Sequence, residues 1–287
     1  VMAFAVVAVL AVPLGLRLRA QNLRAVLARS ALHGGAMLIY FGALAFLTVA
    51  QVAAGLFTAP IFVLLISRFA FGHVIGPVRI LAVAIGFAGV VLVLGPSAMQ
   101  GASLAAGLPV LAGMLYAMGN IATREWCAEE SAETLTCGFF AALGLLGILG
   151  LGALAVFPVP VPDGAAGFLQ RGWVWPSGMF LFWTFVQAAG SLFAVGMMVR
   201  AYQLAEASRV SVFEYIVLPA SAFWGWVIWE ETLAPVAVLG MVLIAGAGGI
   251  IALRARQFSP PPTSLQPVAP QPVEPSPTAP PPTAARQ

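Results

Sequence analysis

Lysine is absent from the sequence, and charged residues of all kinds occupy only 8% of its 287 positions. Soluble domains carry about 25% charged residues, so this shortage excludes an ordinary water-exposed surface. All 13 basic residues are arginines, and a dispersed net charge of +3 is too small for a nucleic-acid-binding protein. Cysteine is scarce too: Cys127 and Cys137 have no metal-ligand partner at useful spacing and do not make a disulfide framework.

Apolar residues fill 61% of the sequence instead. A membrane-spanning helix needs about 20 mostly apolar residues. After a short opening run at 1–16, such stretches occupy 31–47, 50–71, 78–96, 103–122, 135–157, 177–199, 209–229 and 235–253. They are apolar on every face rather than alternating, and in hydrocarbon such a segment satisfies its backbone only as a helix. The sequence therefore predicts an all-α polytopic membrane protein with nine spans.

The arginines predict the orientation of these spans. When the loops are numbered alternately, twelve of the 13 arginines fall on one side and only Arg171 falls on the other. Cytoplasmic loops carry the excess of basic residues, so we expect the crowded side, including the C-terminus, to be cytoplasmic in a cell (inner) membrane. The acidic run at 125–133 lies in one of these loops and is expected to be a solvated surface.

The end of the chain has a different character. Residues 260–282 hold 11 of the 22 prolines, mixed with Ser, Thr and Ala. This composition predicts a disordered or polyproline-II cytoplasmic tail over 257–287. Two interpretations stay open: a solvated tail without a partner, and a ligand for a proline-reading domain.

An internal repeat relates the two halves of the chain. A shift of 158 residues brings Val52 onto Val210 and Pro77 onto Pro235. The paired segments cross the membrane in opposite directions, and inverted repeats are typical of secondary transporters with a site near the midplane. The second half has five spans and the first has four, so we expect one further helix to precede Val1 in the complete protein.

The sequence also resembles a known family. The segments FGALAFLTVAQVAAGLFTAPIFVLLISRFAFG at 41–72 and RAYQLAEASRVSVFEYIVLPASAFWGWVIWEE at 200–231 are similar to the two EamA repeats of the drug/metabolite transporter (DMT) superfamily. The resemblance covers nearly the whole chain from Val1 to Leu253. It implies two inverted five-helix units, here 1–97, lacking its first helix, and 98–256. The family often has LGE after its fourth helix, whereas this chain reads FGH with His73.

Glu214 is the most informative single residue because it lies inside a predicted span. A charged group near the bilayer centre costs at least about 2.5–3.5 kcal/mol on insertion scales, so it persists where it faces a cavity or a partner. One interpretation is that Glu214 binds a cationic part of a substrate or carries a coupling proton. The other is that it pairs with a helix terminus or a neighbouring tyrosine and only stabilises the fold.

Other polar residues within spans are candidates for the substrate and proton pathway. Pairs four residues apart share a helix face, and each pair either lines the pathway or forms interhelical hydrogen bonds. The candidates are Tyr116 with Asn120, Gln187 with Ser191, and the single residues Tyr40 and Gln51.

Prolines bend helices, which makes Pro60 and Pro219 candidates for gating or for static kinks. The glycine rows Gly86–Gly89 and Gly144–Gly147–Gly150 predict close helix packing. His33 is expected near the cytoplasmic membrane edge, and neither it nor His73 has a ligand-spaced partner, so no metal site is expected.

Three functions from different classes remain. The first is a secondary transporter that moves a small metabolite, an amino acid or related compound, by alternating access, with export favoured over import of a cofactor-type metabolite such as S-adenosylmethionine or riboflavin. The second is a membrane enzyme, which would need clustered catalytic side chains that the sequence does not show. The third is a membrane scaffold that uses the proline-rich tail. No GK[ST] phosphate-binding motif is present, so a transporter would use a gradient; no cofactor is expected, and both monomer and homodimer stay open.

Reporter fusions test the predicted topology. Reporters fused after Arg124 and after Arg254 should both report a cytoplasmic location, and one fused near Gly164 should report the opposite side, because these loops alternate across the membrane. A cytoplasmic signal at Gly164 would contradict the expected span count.

Overall fold

The computed structural model describes residues 2–11, 15, 18–47, 49–95, 105, 107–230 and 234–257. In that part of the chain the regular structure is helical throughout, without strands. The helices are α1 Met2–Ala11, α2 Leu23–Ala43, α3 Val49–Leu56, α4 Ala59–Phe69, α5 Pro77–Leu94, α6 Gly107–Glu125, α7 Ala132–Val156, α8 Gly178–Leu204, α9 Ala207–Phe213, α10 Val217–Trp229 and α11 Pro235–Gln257. The proline-rich tail at 258–287 lies outside the described residues, so its expected conformation stays a prediction.

Among the described residues, five helical segments are long and apolar enough to cross a membrane: Gln51–Phe69, Pro77–Leu94, Ala132–Val156, Gly178–Leu204 and Ala207–Ile228. Pro235–Ile251 is a shorter apolar helix. The predicted all-α membrane protein is therefore confirmed. The remaining expected spans coincide with α1, α2 and α6, which are helical but shorter or less apolar.

The N-terminus of helix α2 differs from the expected one. The helix begins at Leu23 and not at residue 31, because the Asn22 side chain accepts a hydrogen bond from the Ala25 backbone N–H at 3.2 Å and caps the helix start. Arg24 and Arg29, which hydropathy assigned to a loop, therefore belong to α2. This extra length brings Arg29 into the interior of the bundle, where it is buried.

Two spans are interrupted at corresponding places. The span Gln51–Phe69 breaks between α3 and α4, and Pro60 lies in the first turn of α4. The span Ala207–Ile228 breaks at the 3-10 turn Glu214–Ile216, and Pro219 is the third residue of α10. Proline is tolerated at the start of a helix because the N–H groups there have no intrahelical acceptor. Both prolines thus follow a break in the helix, and their role in gating stays a prediction.

Small residues bring α5 and α11 into close contact. A Cβ atom on Gly89 would lie 2.6 Å from the carbonyl oxygen of Gly240, and a Cβ atom on Gly240 would lie 2.6 Å from that of Gly89. A Cβ atom on Gly86 would lie 2.5 Å from the Tyr215 ring. The predicted packing role of Gly86 and Gly89 is confirmed. The same role predicted for Gly147 and Gly150 is wrong among the described residues, because a Cβ atom on either glycine would meet none of their atoms within 4 Å.

The loop between α6 and α7 closes one end of the bundle. Glu130 is buried, and its carboxylate accepts the backbone N–H groups of Gln21 at 3.0 Å and Asn22 at 2.6 Å. The Gln203 side-chain amide at the end of α8 donates to the backbone oxygens of Cys127 at 3.0 Å and Glu130 at 2.7 Å. The expectation that this acidic run is merely solvated is wrong for Glu130, because the carboxylate fastens the loop to the start of α2.

A pair of identical substitutions in α11 tests the glycine crossing. Gly240→Ala should lower the free energy of unfolding by about 1–3 kcal/mol, because the added methyl group overpacks the contact with α5. Gly246→Ala is the matched control, since a Cβ atom there meets nothing within 4 Å, and it should leave stability unchanged or raise it by up to about 1 kcal/mol through helix propensity. Thermal unfolding of the purified proteins measures both. Equal melting temperatures for the two variants would contradict this account of the packing.

Candidate functional site

A cavity of about 240 Å³ lies inside the helical bundle between α2, α6 and α8. Its polar lining comes from Arg29, His33, Tyr116, Asn120, Thr123 and Tyr202, and apolar side chains such as Met37, Phe139 and Met198 complete the wall. Asn120 lies five residues before the end of α6, which is about 8 Å along the helix axis at 1.5 Å per residue. Thr123 and Tyr202, which also line it, each lie two residues before the end of their helix, so the cavity extends from the bundle interior toward these helix ends.

Asn120 is the centre of a hydrogen-bonded row of side chains in this cavity. Its Oδ1 lies 3.0 Å from His33 Nε2, and its Nδ2 donates to the Tyr202 hydroxyl at 3.1 Å and to Glu214 Oε1 at 3.2 Å. The other ring nitrogen of His33, Nδ1, lies 3.2 Å from the Arg29 backbone oxygen. One amide side chain thus connects a histidine on α2 with a carboxylate beyond α9.

Glu214 reaches this row because the helix is interrupted where it lies. It is the first residue of the 3-10 turn Glu214–Ile216, which separates α9 from α10. The Tyr202 hydroxyl donates a short hydrogen bond to Glu214 Oε1. Tyr116 also contacts the row, with its ring edge-on to His33 at a centroid distance of 5.3 Å and its hydroxyl 3.0 Å from Met198 Sδ. Glu214 is therefore a partly buried carboxylate with two side-chain donors.

Arg29 places a positive charge at the wall of the cavity. Its side chain is only 2% exposed. Nε donates to Thr123 Oγ1 at 3.0 Å, and one terminal nitrogen, Nη1, donates to the Leu135 backbone oxygen at 2.7 Å. Within the described residues no carboxylate lies within ion-pair distance of this guanidinium. The arrangement can therefore bind a polar molecule between a fixed cation and the Glu214 cluster.

The structure brings together three of the residues predicted from the sequence and leaves four elsewhere. Tyr116 and Asn120 line the cavity, and Glu214 contacts its polar row. The other predicted pathway residues do not line it: Gln187 is exposed on α8, Ser191 and Gln51 are half-buried, and half-buried Tyr40 packs edge-on against Phe41 at 5.2 Å. Spacing on one helix identifies a shared face, but it does not tell which face points inward.

Sequence reasoning missed Arg29, His33 and Tyr202 as members of the site. The sequence predicts a loop at Arg29 and the membrane edge at His33, because the predicted span begins only at residue 31. His33 is in fact buried beside Asn120. Arg29 and His33 are four residues apart, which is the spacing that selected Tyr116 and Asn120. This four-residue spacing is present in the sequence, but it identifies a shared helix face only when the helix begins at Leu23 and not at residue 31.

Comparison with known proteins places the chain beside membrane transporters, although no protein-family model matches it. It is 31% identical over 199 residues to a riboflavin transporter of Rhizobium johnstonii, covering 69% of this chain and 59% of that protein. It is 24% identical over 233 residues to the pseudopaline exporter CntI of Pseudomonas aeruginosa, covering 81% and 76%. A riboflavin transporter of Vibrio cholerae is 26% identical over 175 residues, covering 60% and 52%.

Solved structures share the fold of this chain, and one of them is a crystal structure. It matches with a TM-score of 0.70 at 20% sequence identity, covering 89% of this chain and 85% of the other. At that identity the likeness concerns the fold alone. The chain spans less than two thirds of the length of the Rhizobium riboflavin transporter. What the comparisons establish is therefore an all-α membrane protein with relatives that are named transporters.

Proposed function

We propose that this protein is a secondary transporter of the EamA type, in the drug/metabolite transporter superfamily, that moves a small metabolite across the cell (inner) membrane by alternating access. The observation that carries the proposal is the cavity inside an apolar helical bundle, whose mainly apolar lining includes polar side chains that belong to a hydrogen-bonded row drawn from both halves of the chain. Arg29 and His33 come from the first half, and Asn120, Tyr202 and Glu214 come from the second. Binding pockets between helices of a bundle are typical ligand sites.

The arrangement of the helices supports an inverted repeat with units at 1–97 and 98–256. The shift of 158 residues relates the break after α3 to the break after α9, and it relates α5 to α11. Helices α5 and α11 cross at their glycines. In secondary transporters broken helices of this kind surround a site between the repeats. The cytoplasmic position of the arginine-rich side and of the C-terminus belongs to the same proposal.

The row of hydrogen bonds offers a way to couple transport to protons. An ionised Glu214 accepts hydrogen bonds from Tyr202 and Asn120, which turns the Asn120 oxygen toward His33 Nε2. A protonated Glu214 can instead donate to the Asn120 oxygen, and the amide group then turns its N–H₂ toward His33. The amide oxygen and the amide N–H₂ group point in different directions, so Glu214 and His33 always face different ends of the Asn120 amide. The proton on Glu214 and the tautomer of His33 therefore depend on each other.

Two substrate classes fit this proposal. Export of an amino acid or related compound is the first, and the relative CntI, named a pseudopaline exporter, favours export as the direction. Import of a cofactor-type metabolite is the second, favoured by the relatives named riboflavin transporters. A membrane scaffold that uses the proline-rich tail is the alternative of another class, and deletion of residues 258–287 separates it, since a transporter should retain its flux without the tail.

Flux into proteoliposomes tests the transporter proposal directly. Purified protein should produce saturable, gradient-driven movement of at least one compound from a panel of amino acids, S-adenosylmethionine and riboflavin, in both the full chain and the tail deletion. Assays in both directions, with the proton gradient imposed either way, decide between export and import. Flux no faster than in protein-free vesicles for every compound would refute the proposal.

Glu214→Gln tests the coupling. The substitution keeps the shape and a hydrogen-bonding group but removes the titration, so transport should lose its dependence on pH while the protein still folds. Glu133→Gln is the matched control, because Glu133 is an exposed carboxylate at the start of α7, and it should keep the pH profile of the wild type. Flux across a pH series and melting temperatures are measured on all three proteins. An unaltered profile in a stable Glu214→Gln protein would end the coupling idea and favour a purely structural role.

A further inference from the structure

We infer that Arg29 forms an anion subsite in the cavity and that the transported molecule carries a carboxylate or phosphate group that contacts its guanidinium. The inference rests on the proposed function, because it names the class of substrate for the same cavity. It concerns a residue whose neighbours hold it in place without neutralising its charge.

The first step is the charge that Arg29 retains. An arginine side chain does not lose its proton in proteins and offers five N–H donors. Two of these are used, toward Thr123 Oγ1 and the Leu135 backbone oxygen. Both acceptors are uncharged, so they satisfy donors without supplying a counter-ion. The remaining donors make no hydrogen bond to another described residue, although the side chain lines the cavity.

The second step is that the nearby carboxylates have other partners. Glu130 accepts the backbone N–H groups at the start of α2. Glu214 accepts hydrogen bonds from Tyr202 and Asn120. Arg79, by contrast, forms an ion pair with Glu206 at the edge of the bundle. A buried charge without a partner is strongly destabilising. Within the described chain, Arg29 lacks the carboxylate partner that Arg79 has.

The third step is geometry. The two hydrogen bonds tie the guanidinium to α6 and α7 and so fix its plane at the cavity wall. A planar, fixed guanidinium binds carboxylate and phosphate oxygens with paired N–H···O bonds, and a group that is already held in place loses little freedom on binding. Arg29 is buried, which keeps its guanidinium away from competing bulk water.

Matched ligand pairs test the subsite. Phenylalanine and phenylalanine amide differ in a carboxylate, and riboflavin 5′-phosphate and riboflavin differ in a phosphate. Equilibrium binding and vesicle flux are measured for wild type, Arg29→Gln, Arg29→Lys and Arg68→Gln. Arg68 is the matched control, because it is an exposed arginine on α4 that does not line this cavity.

Wild type should bind the anionic member of at least one pair about 10- to 100-fold more tightly, which is the range for hydrogen bonds to charged groups. Arg29→Gln should remove that preference, Arg29→Lys should keep part of it because the charge remains, and Arg68→Gln should keep all of it. The pair that shows the effect distinguishes a carboxylate substrate from a phosphate substrate. Arg29→Met, a side chain of similar length, replaces the glutamine variant if that protein does not fold.

Two results would overturn the inference: a wild type without preference for either anionic member, or a folded Arg29→Gln or Arg29→Met protein that keeps the preference. If neither neutral variant folds, the preference of the wild type decides. Failure of the proposed function looks different. Arg29-dependent binding without any flux would refute transport and leave the subsite standing. Flux of neutral compounds that is unchanged in the Arg29 variants would refute the subsite and leave transport standing.

Discussion

Hydrocarbon offers no hydrogen bonds, so each polar group that enters the bilayer needs a partner within the protein. This constraint explains why apolar segments of the chain are helices and why their interruptions lie beside polar side chains. At the break in Ala207–Ile228, the carboxylate of Glu214 receives two side-chain hydrogen bonds. The start of α2 is satisfied in the same manner, by Asn22 and by the buried carboxylate of Glu130.

Close packing at the crossing of α5 and α11 follows from the same shortage of polar contacts. Helices in hydrocarbon gain little from burying apolar surface against each other, so they associate through backbone contact at small residues. Gly89 and Gly240 allow such contact between α5 and α11. Between α2, α6 and α8 a cavity of about 240 Å³ remains. A cavity whose lining includes polar side chains suits a molecule that holds a small ligand inside a membrane.

Two ionisable side chains of opposite sign lie in different surroundings: Arg29 lines the cavity, and Glu214 contacts the hydrogen-bonded row there. Glu214 is held by neutral donors, and Arg29 is held by neutral acceptors. Asn120 and His33 lie between the two, so a ligand that approaches either charge meets a connected set of hydrogen bonds. Under the proposed function, substrate binding at one end and a proton at the other would act on the same amide. That physical connection is what a coupled transporter requires.

The sequence by itself determined the membrane setting, the helical class and the approximate position of each long span. Apolar length and the scarcity of charge are local properties of a segment, and they decide directly whether that segment can lie in hydrocarbon. It also identified Glu214, since a carboxylate in a span is conspicuous. Only the tertiary structure decided that Arg29 and His33 face the same cavity as Asn120, and that Gln187 does not. Spacing groups residues on one helix face, whereas the direction of that face depends on how helices distant in the sequence pack together.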